Sequence, residues 1–434
     1  MKLEVQNVNY CATIVSLSEF IPIPNKDKIQ STLIFSNNVV VSTEAKKGDI
    51  GIYFPVECKI NPEFLKMNNI FKDSELNSDK ELKGFFEVNC RVKALRLGGI
   101  KSEGFFIPLN SIKYFCDINN LKIGDEFNSI DGIEICTKYT IVEKKQSSNS
   151  KGNNDRIGKT KRFVRLIENQ FNFHINTPLL QKNIHCIKPN SVISITNKLH
   201  GTSAIFSNVL INKKLTFFEK VLKFLKFNVV STEYSDIYSS RTVIKNKYIN
   251  ENVSTGFYDE DLWGVVNNEI KSKIPKSYTI YGEIVGYTSS GKCIQKGYHY
   301  GCEPKKHKLY VYRVTITNVD GLITELGWSQ LKDFCSRYGF DLVPEFYFGY
   351  AKCCFNDIQV NDNWSEEFIK RLSISFNMND AKCELNNKEV PAEGLVIRVE
   401  NAFKFDAYKH KNFAFKSLET KQFDAGVVDM ESLE

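Results

Sequence analysis

The chain has 434 residues, enough for two or three domains that each bury a core. Its 42% hydrophobic and 12% aromatic content excludes a disordered chain. No apolar run approaches the ~18 residues that span a bilayer, and the start MKLEVQNVNY lacks a signal peptide's apolar core, so a cytoplasmic protein without a membrane is expected. The formal net charge is +7, and residues 144–162 alone hold seven basic side chains against the single acid Asp155. Basicity gathered in one place suits contact with a phosphate backbone. Twelve irregularly spaced cysteines, with no C-x-x-C pair, read as reduced thiols and not as a disulfide framework.

Residues 1–140 read as short β segments between turns: CATIVSL, IGIYF after Gly48-Asp49, VNCRVKALRL, then GFFIPL after Gly98-Gly99. That density of short strands predicts a small β-barrel, with Arg91, Lys93 and Arg96 as its nucleic-acid face. Residues 141–162 are polar and basic and read as a flexible linker. Residues 163–434 mix strand and helix signals, giving an α+β protein overall: strands at SVISI, TIYGEIVG, LYVYRVTI and GLVIRVE, and a helix at WSQLKDFCSRYG with Trp328, Leu331, Phe334 and Cys335 as core. In TFFEKVLKFLKF, Phe217, Val221, Leu222 and Leu225 share one stripe with lysines opposite. Weighed against membrane attachment, a helix docked on the domain surface is the expectation.

The chemistry concentrates around Lys198 in TNKLHGTSAIF. A lysine straight after a strand, followed by Gly201, Thr202 and Ser203, sits where backbone and hydroxyl donors surround an anion. A nucleophilic lysine must also lose its proton, which needs burial or neighbouring positive charge. Further along lie Arg241 in YSSRTVIKN, Glu283 in TIYGEIVGY, Tyr312 in LYVYRVTI, Glu393 in EGLVIRVE and Lys416 in FAFKSLE.

In that order the set resembles the covalent nucleotidyltransferase superfamily of DNA ligases, RNA ligases and capping enzymes, whose hallmark is a lysine in K-x-D-G. The resemblance implies that Lys198 carries AMP. Gly201, Arg241, Glu283, Tyr312, Glu393 and Lys416 would bind the nucleotide, with Tyr312 stacked on the purine and Lys416, the second catalytic lysine, on the α-phosphate. Glu283 and Glu393 would hold Mg²⁺, or Mn²⁺ in its place, and ATP would be the donor. His200 departs from the pattern where the hallmark has aspartate, and Ala414 stands where the last motif often has another lysine. Lys409 or Lys411 would then meet the phosphate charge. Only eighteen residues follow Lys416, and the β-rich part lies first. This order is similar to RNA ligases of the Deinococcus and Naegleria type, in which an OB-like barrel precedes an ATP-grasp-like ligase domain with antiparallel sheets and flanking helices. RVKALRLGGIKSEGFFIPL and FHINTPLLQKN carry that likeness.

The expectation is therefore an ATP-dependent RNA ligase acting on nicked or broken RNA, or an RNA/DNA duplex, with no obligate protein partner. The alternatives are a DNA ligase, a GTP-using capping guanylyltransferase, or a nucleic-acid-binding protein with an inactive ligase-like domain. All six motifs lie beyond residue 190, so the first domain is expected to grip nucleic acid and not to serve nucleotide chemistry. GYTSSGKC at 286–293 misses the P-loop hydroxyl, and Cys293, His299, Cys302 and His307 lack zinc spacing; both read as loop. Lys292, Lys296, Lys305, Lys306 and Lys308 in the same stretch read equally as phosphate contacts or as a solvated loop.

Overall fold

A computed structural model describes residues 1–141, 165–245, 258, 260–401 and 405–427. The basic stretch at 144–162 lies outside the described residues. The architecture is mixed α/β, built on antiparallel sheets.

In the first 141 residues a four-stranded sheet orders Phe105–Pro108, Ile50–Phe54, Ala12–Ser16 and Glu126–Phe127. Alternation along these segments turns Ile14, Ile52, Phe54 and Phe127 into a core shared with Phe64 and Leu65 of the helix Pro62–Met67. Phe20–Pro22, Ile29–Ile34 and Asn37–Ser42 form a separate three-stranded sheet over a second small core. Among the described residues the strands remain separate sheets and close into no barrel. The predicted strand at 88–97 shows one local reason. Cys90 takes φ 57°, which breaks the extended run, so only Leu95–Leu97 joins a ladder, with Ile100–Ser102.

Two sheets organise the remainder. One is β1 (Val192–Lys198), β7 (Glu345–Tyr350), β8 (Gly394–Glu400) and β9 (Phe405–Lys411), in the order β7-β1-β8-β9. The other holds β2 (Thr202–Asn212), β3 (Thr232–Ser239), β4 (Tyr278–Gly286), β5 (His307–Thr317) and β6 (Ile323–Glu325), in the order β3-β2-β4-β5-β6. Asp341–Leu342 adds a short parallel pairing to β5. The larger sheet packs on the helix Leu262–Ile270 and on α2 (Trp328–Tyr338), whose Trp328, Leu331, Phe334 and Cys335 are buried as expected. Helix α2 starts where Gln330 accepts the Gly327 N–H and stops at Gly339, a left-handed residue with φ 67°. The smaller sheet packs on α3 (Trp364–Ser375) through Trp364, Phe368 and Leu372. All twelve cysteines are free thiols. No helix among the described residues is long and apolar enough to cross a membrane.

The stretch expected to dock does not. Helix α1 (Phe217–Phe224) is capped by reciprocal bonds between Thr216 and Glu219, yet none of its residues is buried. Amphipathic spacing fixed which face is apolar and left open what would cover it.

Candidate active site

The turn from β1 into β2 carries the candidate nucleophile. Lys198, the last residue of β1, lies cross-strand from Gly394 at the start of β8, which brings the preceding Glu393 alongside. Gly394 has to be glycine: its φ is 150°, and a Cβ there would lie 2.1 Å from the carbonyl oxygen of His410. Lys198 Nζ is 2.6 Å from Glu393 Oε1. The other carboxylate oxygen, Oε2, is buried without a hydrogen-bond partner among the described residues.

Three residues after Lys198, Gly201 approaches β4 so closely that a Cβ would lie 2.3 Å from the Ile284 carbonyl oxygen. The approach lets the Gly201 N–H donate to Glu283 Oε1 at 2.9 Å. The His200 N–H donates to the Tyr300 hydroxyl at 2.7 Å, and its ring stands edge-on to Tyr298 and Phe415 with centroids 4.9 Å away. The residue in the hallmark aspartate's place thus fills an aromatic slot.

Lys198, Arg241, Glu283, Tyr312 and Glu393 line one cavity of about 360 Å³. Gly201 is not among its lining residues. Tyr312 meets the His174 ring edge-on at 5.2 Å, His174 stands edge-on to Phe405 at 5.6 Å, and all three line the cavity with Trp328. Arg398 lines the same cavity, and its Nη1 has no hydrogen-bond partner among the described residues, leaving a donor for a ligand. Lys409 and Lys411, both from β9, line the cavity as well, as does Glu419. Lys411 Nζ lies 2.7 Å from Glu419 and 4.0 Å from Glu393. Burial works against its charge, yet Glu419, Tyr10 and Glu393 hold Lys411 well above the ordinary lysine value.

Lys416 is not among the cavity's lining residues. It sits on α4 (Phe413–Asp424), and its Nζ is 2.9 Å from Glu103 in the first part of the chain. The K-x-K spacing is present as Lys409-His410-Lys411, seven residues before Lys416, and it is the signal that locates the cavity's lysines. The structure also adds residues that no motif announced. Tyr10, Glu57 and Lys138, from the first 141 residues, line the same cavity.

Arg91, Lys93 and Arg96 all reach across the contact between the two parts of the chain, Arg91 buried, Lys93 half-buried and Arg96 exposed. Arg91 is buried, 3.2 Å from Glu57 and 2.5 Å from Asp424, and also donates to the Thr420 carbonyl. Lys93 reaches Asp424 at 3.0 Å, and Arg96 reaches Asp380 at 3.2 Å. In this arrangement a nucleic acid cannot reach the Arg91 guanidinium. Burial, stronger here than the neighbouring Arg91 charge, pushes the Glu57 carboxyl up to about 7. Cys293 hydrogen-bonds to the Gln295 carbonyl, and no group of three or more metal-ligating side chains occurs among the described residues.

Comparison with known proteins agrees with this geometry. Among solved structures, the chain is similar to the RNA ligase of Naegleria gruberi in several forms. A lysine-to-methionine mutant with AMP and Mn aligns at TM-score 0.55 and 16% identity, over 94% of this chain and 98% of that one. An apo aspartate-to-alanine mutant aligns at 0.57 and 16%, over 96% and 100%. A form with PPi aligns at 0.54 and 16%, over 97% and 100%. At such identities the likeness concerns the fold. No curated protein matches the chain. The model of the family described as RNA ligase matches residues 191–418, more than half of the sequence and a stretch that includes Lys198, Glu283, Glu393, Lys409 and Lys411, so the chain belongs to the RNA ligase family.

Proposed function

We propose that this protein is an ATP-dependent RNA ligase that seals 5′-phosphate and 3′-hydroxyl ends through a Lys198–AMP intermediate. One observation carries the reading: Lys198, Glu283, Glu393, Lys409 and Lys411 line one cavity together with the rings of His174, Tyr312 and Phe405. Lys198 Nζ would attack the α-phosphate of ATP, forming a P–N bond as pyrophosphate leaves. AMP then passes to a 5′-phosphate, and a 3′-hydroxyl displaces it as the new phosphodiester forms. Each step asks the protein mainly for alignment and charge neutralisation.

Negative charge building on the α-phosphate would meet Lys409 and Lys411. Tyr312 supplies the face for the purine, and Arg241 a contact for the ribose or the substrate end. Lys198 Nζ pairs with Glu393 Oε1 at 2.6 Å, and attack would require the lysine to give up its proton. The orphaned Oε2 of Glu393 and the carboxylate of Glu283 fit a Mg²⁺ or Mn²⁺ ion that keeps most of its ligands as water and phosphate. Bound there, the metal would supply Lewis-acid charge neutralisation. Drawing the charge of Glu393 away from Lys198 favours loss of the lysine's proton.

We read residues 1–140 as an OB-like module that closes over the nucleotide and grips the nucleic acid, 141–162 as a basic linker that meets phosphates, and 163–434 as the adenylyltransferase domain. The substrate would be nicked or broken RNA, alone or paired with DNA, and the twelve free thiols suit a reducing compartment such as the cytoplasm. Mg²⁺ with ATP or GTP labelled at the α-phosphate, followed by denaturing electrophoresis, tests the reading. Label from ATP is expected on the wild type and on neither Lys198→Ala nor Lys198→Arg, since a guanidinium keeps its proton. A stable adduct on either folded variant would sink the mechanism.

A further inference from the structure

Helix α1 lies far from all of this chemistry. It sits in the connection between β2 and β3, at the end of β2 opposite Lys198; the eleven residues of β2 put about 35 Å between the two ends. Phe217, Phe218 and Phe224 are 76%, 78% and 86% exposed, and Leu225, Phe227 and Val230 are exposed too. Scattered exposed apolar residues are ordinary, but this many in one short stretch mark an interaction surface.

At 100° per residue, Phe217, Phe218, Val221, Leu222, Phe224 and Leu225 fill an arc of about 160°. The complementary arc carries Lys220, Lys223, Lys226 and Glu219, and Glu219 is held by Lys213. Exposed Lys214 precedes the helix. The polar side is therefore cationic while the opposite side is aromatic and aliphatic. That pairing matches a surface that is apolar below and anionic above: an acyl layer beneath acidic headgroups. A protein groove would instead need carboxylates flanking an apolar trough. Lysines at the edge of the apolar arc can lay their stems along it and keep their ammonium groups at headgroup level.

We propose that α1 is an interfacial helix that seats this protein on an anionic lipid surface, with its phenylalanine-rich arc in the acyl boundary and its lysines on the headgroup phosphates, while the nucleotide cavity stays open to solution at the far end of β2. The helix is far too short to span, so the attachment is peripheral and reversible.

Flotation of the full-length protein with phosphatidylcholine vesicles, with and without phosphatidylserine, tests it. Binding is expected only with phosphatidylserine and should weaken as salt is raised. Phe217→Ser with Phe224→Ser should weaken it about a hundredfold, from roughly tenfold per buried phenylalanine. Lys220→Gln with Lys223→Gln should cost about fivefold per lysine and reduce the salt dependence. Absence of flotation with phosphatidylserine overturns the proposal, as does flotation that survives the phenylalanine substitutions. So does a concentration-dependent dimer that those substitutions abolish, because the face would then belong to a second copy of the chain.

Discussion

Two buried groups on either side of the cavity titrate in opposite senses, and their effects should nearly cancel in the intact protein. The His410 ring accepts or donates at both nitrogens, to Gln181 at 2.6 Å and Ser373 at 3.0 Å. Burial, with help from Lys416, pushes it down to about 3 from 6.5. A histidine depressed on folding stabilises fully above its unfolded value and loses that contribution as pH falls towards the folded one. From pH 7 to pH 5 the loss is about 2 kcal/mol. Glu57 runs the other way. Raised to about 7 from 4.5, it stabilises fully below its unfolded value and loses this as pH rises through 7, so the same acidification gains about 2 kcal/mol. Urea unfolding at several pH values between 5 and 7 reads both. Relative to wild type at each pH, His410→Gln should become about 2 kcal/mol more stable on acidification, and Glu57→Gln about 2 kcal/mol less stable. All other titrating groups drop out of the difference. Two flat difference curves would refute the reasoning.

The remaining predictions concern the site. Lys409→Ala and Lys411→Ala should each slow AMP labelling by about 10²–10³-fold, whereas Lys416→Ala should slow it far less, since its partner is Glu103; equal losses would return Lys416 to the phosphate. Gly201→Ala should remove labelling and cost about 1–3 kcal/mol in unfolding, because its Cβ would push against the Ile284 carbonyl and part the Gly201 N–H from Glu283; normal labelling would show that the approach of β2 to β4 is not needed. Neutralising the seven basic residues at 144–162 should flatten the slope of log affinity against log salt for nicked duplex and spare AMP labelling, and an unchanged slope would make that segment a spacer.

Much of the site was legible because its chemistry restricts residue types. Lys198, Glu283, Tyr312 and Glu393, read from the sequence as nucleophile, carboxylates and purine platform, do line one cavity. The phosphate lysines were harder. The sequence placed the last motif at Lys416 and named Lys409 or Lys411 as substitutes for its missing first lysine; the strand β9 brings both substitutes to the cavity, while the helix after it carries Lys416 to Glu103. Arg91 failed as a surface reading for a related reason. Its sequence neighbourhood alternates like an exposed strand, but its carboxylate partners Glu57 and Asp424 lie 34 and 333 residues away. Tyr10, Glu57 and Lys138 carry no local signature at all; they reach the cavity because the two parts of the chain pack together.

Helix α4 touches both parties to that packing. Glu419 holds Lys411 at the cavity, while the next residue, Thr420, and Asp424 beyond it hold Arg91. A helix of this length moves as a rod. Any swing of the first 141 residues that admits a strand end must either break the Arg91 contacts or drag Glu419 away from Lys411. If the cavity takes the nucleotide and the first 141 residues grip the strand, as proposed, the two events would share a single free-energy cycle. Whatever factor a gripped strand imposed on nucleotide affinity, the nucleotide would return in equal measure to the grip.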